Sequence, residues 1–343
     1  MIPIIFSDRV QQSTKGQAVL AADVGGTKVN LALYMFADGK PQATQARQYH
    51  SASFTSFSAI LHKFFGETGI KKPGSICAGV AGAIVNDAAE LVNLPWGISK
   101  KEIAEATGVE DIMLINDLEA NAYGLALLQD KDMITLHKGA QVPGNAAIVA
   151  PGTGLGEAGL YWDGNFYRPF ATEGGHCDFA PRTSLDAELH IYLKKIHEIV
   201  SWEHVVSGPG IHAVYNFLRD VKKMEEPEWL KEEMHAEDAS AAISEAALQN
   251  RCSICVETMK LFVEHLARIC TILALKLKAT GGIFLGGGIP PKIVKLLQQD
   301  TFAQTFLTCD RQQSLMEIIP IQVIMNDKTA LLGAAYYGGF SRL

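Results

Sequence analysis

Residues 20–34 read LAADVGGTKVNLALY, and residues 148–162 read IVAPGTGLGEAGLYW. In each, a short apolar run meets a glycine–threonine turn and is followed by a second apolar run. Strand, turn and returning strand describe a hairpin, and the pattern occurs twice. Identity between the two segments is low but their structural role is the same. The pair therefore predicts two related α/β halves facing one another across a cleft.

The rest of the chain can be placed around these hairpins. SICAGVAG at 75–82 reads as a buried strand entering a glycine turn. DIMLIND at 111–117 is an apolar strand closing on two polar residues, and LEANAYGLALLQ at 118–129 has helical periodicity. The strand after the second hairpin turn ends at Asp163-Gly164, a further hairpin signal. Helical patterns cover 184–199, 209–220 and 239–278. GGIFLGGGIPPK at 281–292 reads as strand, glycine turn and the proline start of a helix. IQVIMND at 321–327 is a last strand, and KTALLGAAYYG a closing helix. The charged stretch 221–238 reads as a solvated pair of surface helices. Residues 1–17 read as an N-terminal extension, 18–115 with 326–343 as a small α/β domain, and 116–325 as a large one.

The 343 residues are 48% hydrophobic, enough for two cores, with a formal charge of −7. An acidic chain without a basic stretch argues against nucleic acid as a partner, and any phosphate site must be built locally. No apolar run reaches membrane-span length, and MIPIIF followed by Asp8 and Arg9 lacks the basic start of a signal peptide. A cytoplasmic protein is expected. Its six cysteines read as reduced thiols; Cys252 and Cys255 form one isolated C-x-x-C within a helical pattern, without a second pair at zinc spacing.

The chemistry-bearing residues cluster in the turns. A phosphate needs backbone N–H groups free of side-chain obstruction, which glycine supplies. Gly25, Gly26, Thr27 and Lys28 form one such turn; Gly152, Thr153 and Gly154 form the other. Neither is a dinucleotide fingerprint, because GTGLGEAGLYW continues as a strand, and no Walker A string occurs. Asp23 ends its strand beside the first turn, as a Mg²⁺ carboxylate or as a turn-forming Asp. Asn116 and Asp117 are a base with a neighbouring amide or a helix cap. In TEGGHCDFAP, at 172–181, Glu173 and His176 can engage hydroxyls, or the segment is an irregular loop. Zinc is discounted there, since adjacent His176 and Cys177 do not easily close one tetrahedron. Glu203, before the Ser-Gly-Pro-Gly turn, is a surface charge or a further site carboxylate.

Taken together and in order, DVGGT, LIND, PGTGLG, EGGH, E-x-x-VSGPG and FLGGGIPP resemble the bacterial glucokinases, the non-ROK group of the hexokinase and actin-like ATPase superfamily. The resemblance runs from about Val19 to Gly339. It implies a two-domain actin-like (ribonuclease H-like) fold and transfer of the ATP γ-phosphoryl group to the 6-hydroxyl of glucose, with Mg²⁺ accompanying ATP. It implies Asp117 as the base; Asn93, Asn116, Asp117, Glu173, His176 and Glu203 as sugar ligands; the two hairpins as phosphate turns; and Gly286, Gly287 and Gly288 as the cover of the adenosine. A homodimer is the assembly it suggests. Lys28 stands where this group often has Asn and ROK sugar kinases commonly have Lys, while the cysteine-rich zinc motif of ROK kinases is missing. Kinases of other hexoses or N-acetylhexosamines, and a sugar-sensing protein of the same fold, are the alternatives.

Overall fold

The computed structural model describes residues 2, 4, 9–13, 18–37, 40–91, 94–140, 142–236 and 238–342. The chain divides into two compact units. The first holds residues 1–130, 160–171 and 326–343, the second 131–159 and 172–325. Residues 116–130 and 160–171, which the sequence pattern places in the large domain, thus group with the first unit.

The chain opens with β1 (Arg9–Ser13), β2 (Val19–Val24), β3 (Lys28–Ala37) and β4 (Lys40–His50). After α1 (Phe57–Thr68) come β5 (Ser75–Val80) and a small sheet of β6 (Ile84–Val85), β7 (Ala88–Ala89) and β8 (Ile98–Ser99). Then follow α2 (Lys100–Thr107), β9 (Ile112–Asn116) and α3 (Asp117–Gly124). The central sheet is ordered β4-β3-β2-β5-β9. β2 pairs antiparallel with β3 through the first glycine turn and parallel with β5, which is itself parallel to β9. β2 and β5 are buried at nearly every position, as strands covered on both faces must be.

The second unit begins with β10 (Met133–His137), β11 (Ala146–Pro151) and the start of β12 (Leu155–Trp162), and resumes at the last residue of β13 (Tyr167–Thr172). Its helices are α4 (Ser184–Leu193), α5 (Gly208–Asp220), α6 (Glu228–Ala236), α7 (Ala239–Leu248) and α8 (Ser253–Leu277). After β14 (Gly282–Leu285) come α9 (Val294–Leu297), α10 (Asp300–Leu307), α11 (Gln313–Ile318) and β15 (Ile321–Ile324). The chain closes with α12 (Thr329–Gly338) and β16 (Phe340–Arg342), back in the first unit. The six-stranded sheet is ordered β13-β12-β11-β14-β15-β10, with β11, β14 and β15 mutually parallel. Leaving out β10, each sheet has the order third-second-first-fourth-fifth in its own count. The weak sequence repeat is therefore a repeat of topology.

Several expectations need correction. The 239–278 pattern is two helices, because Asn250 adopts a left-handed conformation (φ 54°) between α7 and α8. α4 stops at Leu193 rather than at 199: residues 194–199 form turns and bends, with Ile196 N and His197 N both donating to Leu193 O, and the chain beyond them brings Val200 O to Phe179 N and Ser201 to a bridge with Asp178. The 221–238 stretch holds one helix among its described residues, and it is docked rather than solvated. Leu230 is buried, and Arg251 lies 3.7 Å over the Trp229 ring. The Pro290-Pro291 pair lies in a turn, with the helix starting only at Val294. The N-terminal segment is not merely an extension: Arg9–Ser13 pairs with Phe340–Arg342, and Ile4 bridges Tyr167. Residues 1, 3, 5–8 and 14–17 lie outside the described residues.

Candidate active site

In the first unit, the sequence-predicted residues gather at one end of one sheet. Asp23, near the C-terminal end of β2, is level with Gly79 on β5, and Val80 is level with Asn116 on β9. The glycine turn and the Asn116-Asp117 pair thus emerge from the carboxyl ends of adjacent parallel strands, where open α/β sheets bind ligands. The turn is tied down locally. Gly25 N donates to Lys28 O (2.9 Å), Ser51 Oγ to Gly25 O (2.8 Å), and Ser51 N to Thr27 O (3.0 Å). Thr27 and Lys28 are exposed. Neither Gly25 nor Gly26 has positive φ, so glycine here provides access to the backbone rather than an unusual dihedral.

Asp23 is half-buried and takes one hydrogen bond from Asn30 Nδ2 (3.0 Å) across the hairpin. Burial pushes its carboxyl up from the ordinary range, and the Asn30 bond offsets only part of that. A desolvated carboxylate next to a phosphate-type turn fits a cation brought by a nucleotide. Among the described residues no group of three or more His, Cys, Asp or Glu side chains is placed to hold a metal ion unaided.

The cap and base readings of Asn116-Asp117 divide between the two residues. Asn116 is the cap of α3, its Oδ1 accepting from Leu118 N (2.9 Å) and Glu119 N (3.3 Å), while its Nδ2 donates to Gly82 O (3.4 Å). Asp117 is the first helical residue, half-buried, with Oδ1 accepting from Leu118 N at 2.9 Å. α3 is held against α12, where a Cβ on Gly333 would strike Ala120 O.

The second unit repeats the arrangement. The Gly152–Gly154 turn leaves β11, and Gly286–Gly288 leaves its parallel neighbour β14. Gly152 N donates to Gly154 O, and Gly208 N, at the start of α5, donates to Gly152 O, both at 2.8 Å. Gly287 requires glycine twice over: its φ is +79°, and a Cβ would lie 2.5 Å from Pro151 O. Beside these turns lies a cavity of about 930 Å³, bordered by Thr153, the starts of α5 and α7, and Gly288 to Ile293. Sequence reasoning missed most of this lining, including His212, Asp238, Ser240 and Lys292. Asp238 caps α7 by accepting from Ser240 N and Ala241 N, so the available signal was an acidic cap before a run of small residues.

The EGGH turn sits on β12. A Cβ on Gly175 would fall 2.0 Å from Leu155 O, and one on Gly174 2.0 Å from Glu157 Oε2. Gly175 is thus required by close approach of the backbone, and Gly174 leaves room for the Glu157 side chain. Glu173 and His176 are exposed on either side of them. Glu203 is half-buried against the same strand, its Oε2 accepting from Leu155 N (2.9 Å) and packing on Gly154. His176 and Glu203 both act electrostatically on His204, whose imidazole is held below its ordinary pKa by burial, with stacked His197 adding to the effect. The structure therefore gathers Glu173, His176 and Glu203 around the strand that leaves the phosphate-type turn. Glu157, unremarked in the sequence, lies under them as the one acidic side chain of β12. Asn93 lies outside the described residues.

The paired third-second-first-fourth-fifth sheets, with glycine turns and carboxylates at their carboxyl ends, define an actin-like ATPase fold of the sugar-kinase kind. A glucokinase from an Antarctic psychrotroph superposes with TM-score 0.79 at 31% identity, covering 94% of this chain and 98% of that one. The Balamuthia mandrillaris glucokinase, in complex with glucose, gives TM-score 0.81 at 20% identity, covering 94% and 93%, a likeness of fold. The Nostoc punctiforme glucokinase is 39% identical over 332 residues, 92% of this chain and 97% of the relative. The glucokinase family profile matches residues 20–339, and this chain belongs to the glucokinase family.

Proposed function

We infer that this chain transfers the γ-phosphoryl group of ATP to the 6-hydroxyl of glucose, with Asp117 as general base. The observation that carries the reading is the family match across residues 20–339, which spans both glycine hairpins and the LIND strand end. The Asp117 carboxylate takes the hydroxyl proton as the sugar oxygen attacks the γ-phosphorus. The bond from that phosphorus to the bridging oxygen breaks, and ADP leaves. Phosphoryl transfer asks little covalent work of a protein, so one placed carboxylate and backbone donors at the phosphates are the essential equipment. Asn116, Glu173, His176 and Glu203, with Asn93, are assigned to the sugar hydroxyls. The Gly25–Lys28 and Gly152–Gly154 turns are assigned to the phosphates, and Gly286–Gly288 with the adjoining cavity to the adenosine. Asp23 would hold Mg²⁺, directly or through water; when bound with ATP, the ion neutralises charge on the β- and γ-oxygens.

The missing cysteine-rich zinc motif supports placement in the non-ROK group. Among the described residues no helix is long and apolar enough to cross a membrane, and all six cysteines are free. These features fit the cytoplasmic reading. Ile191, Ile196 and Ile199, each more than 60% exposed near the end of α4, fit a homodimer contact.

A coupled assay over a panel of hexoses and phosphoryl donors tests the reading. Glucose with ATP should give the highest kcat/KM, and activity confined to an N-acetylhexosamine would sink it. Asp117→Asn should lower kcat by about 10²–10⁴-fold with glucose affinity changed only a few-fold. Turnover near that of the wild type would remove Asp117 as the base.

A further inference from the structure

Glu157 is a buried carboxyl that the proposed chemistry does not use. It is 4% exposed, and its Oε1 has no hydrogen-bond partner. Its Oε2 fills the place a side chain on Gly174 would take. The same residue also grips the turn through its backbone: Thr172 Oγ1 donates to Glu157 O (3.1 Å) and accepts from Gly174 N (3.3 Å). Glu157 thus touches the entry to the Glu173–His176 turn from below by two routes.

The titratable groups on the elements packed around it are Cys270 and Lys276 on α8, Glu203 against the start of β12, and Glu173 and His176 in the turn. Lys276 is exposed and pulls the Glu157 carboxyl down by less than burial raises it, while Glu157 helps push the buried Cys270 thiol up. Burial dominates and raises the Glu157 carboxyl to about 7. An uncharged carboxyl tolerates an unpartnered oxygen far better than a carboxylate does.

We propose that Glu157 is a positioning residue for the sugar: uncharged, it supports the Glu173–His176 turn from beneath, and ionised, it loosens that turn and weakens glucose binding at alkaline pH. The proposal rests on the reading that this turn binds the sugar. Glu157 does not meet the substrate; it acts through Gly174 and the Thr172 hydroxyl.

The test is glucose KM and kcat at saturating ATP from about pH 6 to about pH 9, for wild type, Glu157→Gln and Glu173→Ala. Wild-type KM should rise above about pH 7, approaching about tenfold per pH unit, with kcat much less affected. Glu157→Gln, of the same shape but unable to ionise, should show a flat KM near the wild-type acid-side value. An alkaline rise that persists in Glu157→Gln overturns the proposal. So does a wild-type KM that stays flat across the range, a result that needs no variant to fold. Glu173→Ala separates the two levels. Raised KM there, with Glu157→Gln tracking wild type, defeats the positioning role alone; unchanged KM there removes the turn from the sugar site altogether.

Discussion

Replacing Gly175 by alanine tests the idea that the EGGH turn is positioned by direct backbone contact with β12. The added Cβ would fall 2.0 Å from Leu155 O and 3.0 Å from Leu155 C and Cβ. Ordinary contact there is about 3.4 Å, so turn or strand must move by roughly 1.4 Å, allowing for normal interior packing. The strand is the less mobile partner, fixed by its sheet neighbours and by the Glu203 carboxylate on Leu155 N. The turn should therefore yield, taking Glu173 and His176 with it. Misplacing a substrate-positioning group by about 1 Å costs on the order of 10²-fold in rate. Glucose kcat/KM should thus fall about 100-fold, equivalent to about 2.7 kcal/mol of transition-state binding. The assay is steady-state phosphorylation with glucose varied and ATP saturating, alongside a thermal melt to show that the variant folds. If Gly175→Ala folds and keeps glucose kcat/KM within about threefold of wild type, then close approach to β12 does not position the sugar turn.

Three further outcomes are expected. Glu173→Ala should raise glucose KM by about 10–100-fold through the loss of a hydroxyl acceptor, with ATP KM nearly unchanged; an unaltered glucose KM would contradict its assignment. Asp186 on α4 is buried with His265 Nε2 (2.9 Å) and Arg268 Nη1 (2.7 Å) of α8. Burial opposes its charge, but the bonds from His265, Arg268 and the Arg182 backbone overcome this and hold the carboxyl far below the usual range. A depressed carboxyl contributes stability above its unfolded pKa that is lost as pH falls, so the wild type should weaken progressively below about pH 4. Arg268→Met should cost about 3–5 kcal/mol at neutral pH by leaving the buried Asp186 carboxylate without its guanidinium partner. Denaturant melts across pH would expose the error if that variant matched wild type.

The fold was legible in the sequence because its elements carry local signatures. The DVGGTK and PGTGLG turns interrupt apolar runs, and LIND ends an apolar strand on polar residues; each depends on neighbours within a few positions. Where a boundary depended on distant partners, the sequence misled. The 184–199 pattern looked helical throughout, yet residues 194–199 turn out of the helix, and Val200 and Ser201 lie beside Phe179 and Asp178. α6 reads as a solvated element by charge, but Leu230 and Trp229 dock it.

The candidate site divides in the same way. By itself, the sequence determined which chemical groups this protein has and in what order: two glycine hairpins, Asn116-Asp117, Glu173 and His176 about two glycines, and Glu203. Those facts are local and survive any reasonable folding of the segments. Only the tertiary structure decided which of two adjacent residues caps α3, that the glycines of EGGH answer to Leu155 and Glu157, and that α5, α7 and the β14 turn enclose a cavity. The physical reason is that a side chain's protonation, freedom and reach are set by what is packed against it. For Glu157 and Asp186 those neighbours come from segments far along the chain, and one carboxyl is driven up and the other down.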